Sequence, residues 1–147
     1  MLLVKEGRNY SITAECQRSQ IPKNFWALPL NKIIRTILGK GKFTSIVFVR
    51  QEKMRRLNKK YRKKNQSTDV LSFNLGNGGE IFLSLNDIRR KTKIYDLKTN
   101  VYLLYLLIHA LLHLKGEAHG SKMDRQEKKY CKIFQIKHPA QIKSNES

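Results

Sequence analysis

The chain has 147 residues, 40% of them apolar, which suits one domain with its own core and excludes a disordered polyelectrolyte. Thirty lysines and arginines against 11 acidic residues give a net charge of +19 and a pI near 10.2, a surplus that favours polyanions, nucleic acid above all. Cys16 and Cys131 make no CxxC pair, so a disulfide framework is not expected and a reducing compartment is. The first residues lack the apolar stretch of a signal peptide, and the most apolar run, Val101 to Leu114, has 14 residues including two histidines. A cytoplasmic protein without membrane attachment is the expectation.

In chain order, weak alternation around Tyr10, Ile12 and Ala14 predicts a first strand within residues 1–15. Asn24 to Leu38 has apolar residues at helical spacing up to Gly39 and Gly41, with Pro29 starting or kinking the helix. Phe43 to Val49 is β-branched and aromatic, a strand by composition. Gln51 to Lys64 reads as a basic helix with Met54, Leu57 and Tyr61 inward; 8 of its last 12 residues are Lys or Arg. Asp69 to Leu75 and Glu80 to Leu85 alternate around Gly76-Asn-Gly-Gly79 and predict a hairpin. Leu85 to Tyr95 is a short helix with an Asn/Asp start, Asn100 to Lys115 a buried one with Asn100 as N-cap, and Gln126 to Ile136 the last. Strands and helices mix without regular βαβ alternation and without repeats or linkers. The expected class is therefore α+β: a small mixed sheet packed with helices around a central buried helix. One domain over residues 1–137 and a frayed tail over 138–147 complete the expectation.

At the end of the central helix and just beyond it lies His109-Ala-Leu-Leu-His113-Leu-Lys-Gly116-Glu-Ala-His119, which holds three of the four histidines in eleven residues. Positions 109 and 113 share a helix face, and Gly116 can stop the helix and let the chain return His119 towards them. Three imidazoles with a position left open define a catalytic zinc site, since structural sites are closed by four protein ligands. The spacing is also that of one class of zinc peptidases, but these need a glutamate after the first histidine, where this chain has Ala110. A basic chain with such a site points to phosphodiester hydrolysis, where charge developing on phosphoryl oxygens calls for a nearby cation such as Arg62. Arg55, Arg56, Lys59, Lys60, Arg62, Lys63 and Lys64 form the expected nucleic-acid surface. Asp69 suits either a hydrogen bond to a ligand imidazole or a turn cap, and Thr68 and Ser72 are candidate cleft residues. Tyr61 and Phe73 read as core residues at helical and strand spacing, with stacking on unpaired bases as the alternative, and His138 has no motif partner.

Three ordered segments resemble the YbeY-type single-strand endoribonucleases of ribosomal RNA maturation. They are Leu57-Asn-Lys-Lys-Tyr61-Arg62, Ser67-Thr68-Asp69-Val70-Leu71-Ser72-Phe73 with Gly79-Glu80-Ile81, and the histidine string. The resemblance implies an α+β fold with one Zn(2+) per chain on His109, His113 and His119. His113 and Arg62 would then serve catalysis, Arg62 on RNA phosphate. It also implies the small ribosomal subunit as partner and processing of the 16S rRNA 3′ end. The alternative is a non-catalytic biogenesis factor with a structural metal, and a metallopeptidase is a more distant one. Ala110 replaces a glycine of the family pattern, Glu117-Ala118 replaces Tyr-Asp, Ser67 and Asn74 replace prolines, and Glu80 replaces Asp. Loss of the aspartate before His119 removes a potential hydrogen-bond partner for a ligand.

Overall fold

The computed structural model describes residues 2–116 and 120–136. Among them, five strands make one mixed sheet: β1 (Leu2–Glu6), β2 (Tyr10–Ala14), β3 (Phe43–Phe48), β4 (Val70–Asn74) and β5 (Gly78–Leu83). Their spatial order is β1-β2-β3-β5-β4, with β2, β3 and β5 parallel and the two edge strands antiparallel to their neighbours. Parallel neighbours need crossovers. Helices α1 (Lys23–Trp26) and α2 (Leu30–Leu38) lie between β2 and β3, while α3 (Gln51–Arg62) and β4 lie between β3 and β5. Helices α4 (Leu85–Tyr95), α5 (Thr99–Lys115) and α6 (Ser121–Ile133) follow the sheet. The expected α+β class is what the chain adopts.

Helix α5 is the centre of the main core, packed against α1, α2, α4, α6, β4 and β5. Leu103, Leu107, Ile108, Leu111 and Leu112 are fully buried in it, each contributing about 1.5–3 kcal/mol of burial free energy. A smaller cluster of Val47, Val49, Met54 and Leu71 holds α3 to the sheet. Gly79 brings α5 close to the hairpin, because a Cβ there would lie 2.6 Å from the Leu114 side chain and 2.4 Å from the Phe73 carbonyl oxygen. At its C-terminal end α5 stops where the spacing predicts, with Gly116 left-handed at φ 110°.

Several boundaries differ from expectation. The N-terminal segment holds two strands in a hairpin, not one. Pro29 separates α1 from α2, and Lys98 rather than Asn100 caps α5. Gly78 and Gly79 belong to β5, so the hairpin turn is residues 75–77. Helix α3 ends at Arg62 because Lys63 takes a left-handed conformation, and α6 begins at Ser121. Tyr61 is not a core residue: it is 51% exposed, and Asn58 takes the buried place beside Met54. The proposed boundary at 137 and the tail 138–147 lie outside the described residues. Among the described residues no single helix is long and apolar enough to cross a membrane.

Candidate metal and nucleic-acid site

Between the edge strand β4, the C-terminal half of α5 and the loop after α3 lies a cleft of about 720 Å³. His109 and His113 open onto it, one helical turn apart, with Arg62 and Lys64 across from them. The loop that forms the facing wall is anchored at both ends. Asn58 donates from Nδ2 to the Gln66 carbonyl at 2.9 Å, and the Ser67 hydroxyl donates to Asp87 Oδ2 at 2.5 Å. Asp87, buried in α4, also accepts from Ser84, Gln51 and Arg90, so its charge is compensated. Thr68, Asp69 and Ser72 thereby reach the cleft wall.

The two imidazoles converge. His109 Nε2 and His113 Nε2 are 3.1 Å apart with ring planes at 84°. Two nitrogens on one tetrahedral metal with bonds of about 2.0–2.1 Å would be about 3.3 Å apart, so the pair fits a shared ion. Behind them, Glu127 Oε2 is 2.5 Å from His109 Nδ1, and Tyr105 donates its hydroxyl to Glu127 Oε1 at 3.1 Å. A carboxylate on Nδ1 keeps the neutral ring's proton there and leaves the Nε2 lone pair facing His113. Glu127 itself is buried on the inner face of α6, in register with Met123, Tyr130 and Cys131. Burial, reinforced by Glu127, raises the Tyr105 phenol well above its ordinary range, which keeps it a donor. Burial and then Glu127 push the Cys131 thiol up to about 12. Cys131 and Cys16 are both free thiols.

His119, the third expected ligand, lies outside the described residues. Among the described residues no three His, Cys, Asp or Glu side chains group as a metal site. The donor chemistry present is therefore two imidazoles and a carboxylate turned to the back of one of them. Asp69 takes a place that neither expectation gave it: its Oδ2 accepts from the Tyr102 hydroxyl at 2.8 Å, tying the cleft loop to α5. Burial first, and Asp69 second, raise the Tyr102 phenol as well.

Arg62 sits at the rim, donating from Nη2 to the Ser72 carbonyl at 3.0 Å with its guanidinium 5.0 Å from the Phe73 ring centre. Arg55, Arg56, Lys59, Lys60, Lys63 and Lys64 are all exposed. Of these six, Lys64 lines the cleft, and the others cover the outer faces and end of α3. Asn74, which occupies a proline position of the family pattern, donates to the Leu114 carbonyl at 2.8 Å and so satisfies a terminal carbonyl of α5. Glu127, Asp87 and Asn58 were not among the site residues expected from the sequence. The signal was present: each is a polar residue on the buried face of an amphipathic helix, where only a partnered group is stable.

A family profile described as Endoribonuclease YbeY matches residues 11–135. Endoribonuclease YbeY of Thermosipho melanesiensis is 34% identical over 115 residues, which cover 71% of this chain and 83% of that protein. The protein of the same description from Anaplasma phagocytophilum is 35% identical over 95 residues, covering 60% of this chain and 62% of that one. A solution structure of a Thermotoga maritima protein superposes with a TM-score of 0.60 at 25% identity, over 82% of this chain and 85% of the other. The chain belongs to the YbeY endoribonuclease family.

Proposed function

We propose that the protein is a zinc-dependent endoribonuclease that cuts single-stranded regions of ribosomal RNA, acting at the 16S rRNA 3′ end on the small subunit. The observation that carries this reading is the convergence of His109 and His113 Nε2 in a cleft rimmed by Arg62. His109, His113 and His119 would hold the metal. Zinc, when bound, supplies Lewis-acid polarisation and water activation.

The chain's own residues do the rest. Glu127, steadied by Tyr105, holds the proton on His109 Nδ1 and aims Nε2 into the cleft. Arg62 presents its guanidinium to phosphate oxygens on which charge accumulates, and its contact with the Ser72 carbonyl keeps it at the rim. Lys64 adds a second cation in the cleft, and the Thr68 and Ser72 hydroxyls offer hydrogen bonds to the sugar-phosphate chain. The exposed cations of α3 draw RNA in without reading its sequence.

The test measures metal content and single-stranded RNA cleavage for the native protein and for His113→Ala. Zinc in the native protein, lost together with cleavage in the variant, supports the reading. Metal-free native protein, or a variant cutting at the native rate, contradicts it. A histidine variant that still restores ribosomal RNA processing in cells would identify a non-catalytic biogenesis factor instead.

A further inference from the structure

A second basic concavity lies at the far side of the sheet, where β2 and β3 begin. Two adjoining hollows of about 400 and 340 Å³ share Arg8, Asn9 and Arg35. Lys32 lines the first, and Lys40, Lys42 and Phe43 line the second. Three separate segments supply these cations: the β1–β2 turn, the outer face of α2 and the α2–β3 loop. No carboxylate lines either hollow, and residues 16–51 contain no Asp or Glu at all. Among the described residues none of these cations is held in an ion pair. A concave cluster of five uncompensated cations repels itself, and a bound polyanion relieves that repulsion.

Its position connects it to the cleft. Lys42 donates from Nζ to the Gly76 carbonyl at 3.3 Å, and the Phe43 amide donates to the Asn77 carbonyl at 3.1 Å. Gly76 and Asn77 form the β4–β5 turn, and Asn74 at its base lines the cleft beside His113. The hairpin is thus the bridge between the two concavities. Strand spacing of about 4.8 Å puts β2 roughly 14 Å from β4, a short step for an extended strand of RNA. Large apolar side chains stand open along that path, Leu75 at 66% and Phe43 at 41% exposure, where unstacked bases can rest.

We propose that this groove is an RNA exosite: it holds the phosphate backbone of a single strand that leaves the cleft over the β4–β5 turn. The proposal rests on the RNA-directed reading of the cleft, but it is tested by binding, so it stands or falls apart from cleavage. Binding of fluorescent single-stranded RNA is measured across a salt series for the native protein and for the triple variant Arg8→Gln, Arg35→Gln, Lys40→Gln. One RNA is longer than about sixteen nucleotides, and the other has about five. A control variant, Lys93→Gln, Lys129→Gln, Lys132→Gln, removes the same charge from the exposed faces of α4 and α6.

For the long RNA, the groove variant should bind at least tenfold more weakly. Its salt slope should be shallower by about 2, at about 0.7 per lost phosphate contact. The short RNA should lose less than threefold, and the control should lose less than threefold on both. Equal loss for long and short RNA, or equal loss in groove and control variants, overturns the exosite and leaves only diffuse charge. Unchanged RNA binding in the groove variant overturns it too, and would turn attention to an acidic protein as occupant. A native protein that binds long RNA with the expected slope change but never cuts RNA supports the exosite while defeating the nuclease reading.

Discussion

Helices α3 and α5 face each other across the same cleft and are built on opposite terms. In α5 most side chains are buried, and of its two histidines His109 is held from a second helix by Glu127 at 2.5 Å while His113 lies 3.1 Å from His109 one turn on. In α3 one narrow face packs on the sheet, and seven cations of α3 and the two residues after it, from Arg55 to Lys64, stand exposed. On the proposed reading, position carries the function of α5, and summed charge carries that of α3. Single substitutions should therefore be severe in the first helix and slight in the second, with Arg62 between them because its guanidinium is anchored.

The largest difference should appear in folding. Leu107→Ala leaves a cavity at a fully buried site and should cost about 2–5 kcal/mol in urea unfolding, whereas Lys59→Ala on α3 should stay within about 0.5 kcal/mol. Equal effects would mean that α5 is not the centre of the core. Next comes Glu127→Gln, which keeps the volume but removes the charge behind His109. Zinc affinity measured by chelator competition should fall about 10–100-fold, and an unchanged affinity would show that Glu127 does not position the ring. Arg62→Ala should lower kcat/KM for RNA by about tenfold, or 1.4 kcal/mol, and Arg62→Lys should not restore it, since lysine lacks the planar fork. Single substitutions of Lys59, Lys60 or Lys63 should change RNA affinity by less than about threefold near physiological salt. A tenfold loss at any of them would make α3 a site of specific contacts.

Titration sharpens the same contrast. Burial holds the Tyr102 and Tyr105 phenols above their ordinary range, so folded they stay protonated where an unfolded tyrosine, near pH 10, ionises. Their contribution to stability is fully present below about pH 10 and is lost as pH rises beyond it. Denaturation midpoints of Tyr102→Phe should fall off less steeply above pH 10 than those of the native protein.

How much of this was legible follows from the physics of each signal. Helix α5 and its stop at Gly116 were, because an apolar run with a glycine after it leaves few alternatives. The hairpin and the α+β class followed from alternation and turn residues. The N-terminal segment hid its β1 strand because Leu2 and Leu3 lie exposed on an edge, with no buried face to impose a pattern. The inward assignment of Tyr61 failed for a related reason: at the end of α3 its ring rests edge-on against Phe73 at 5.1 Å while half of it meets solvent. At the site, the histidine pair was readable from spacing alone. Glu127 was not, since its partner His109 is 18 residues away and only the packing of α6 on α5 brings them together. Asp87, which anchors the wall loop from inside α4, was equally hidden, because its four donors come from three segments of the chain.

On the proposed reading, His109 and His113 belong to a metal-dependent RNA-cleaving site. Zinc titration into chelator-treated native protein, read out as cleavage of single-stranded RNA, tests it most directly. Chelation should abolish cleavage, and about one equivalent of zinc per chain should restore it. Full cleavage by the metal-free protein, or no cleavage at any zinc level, would contradict it.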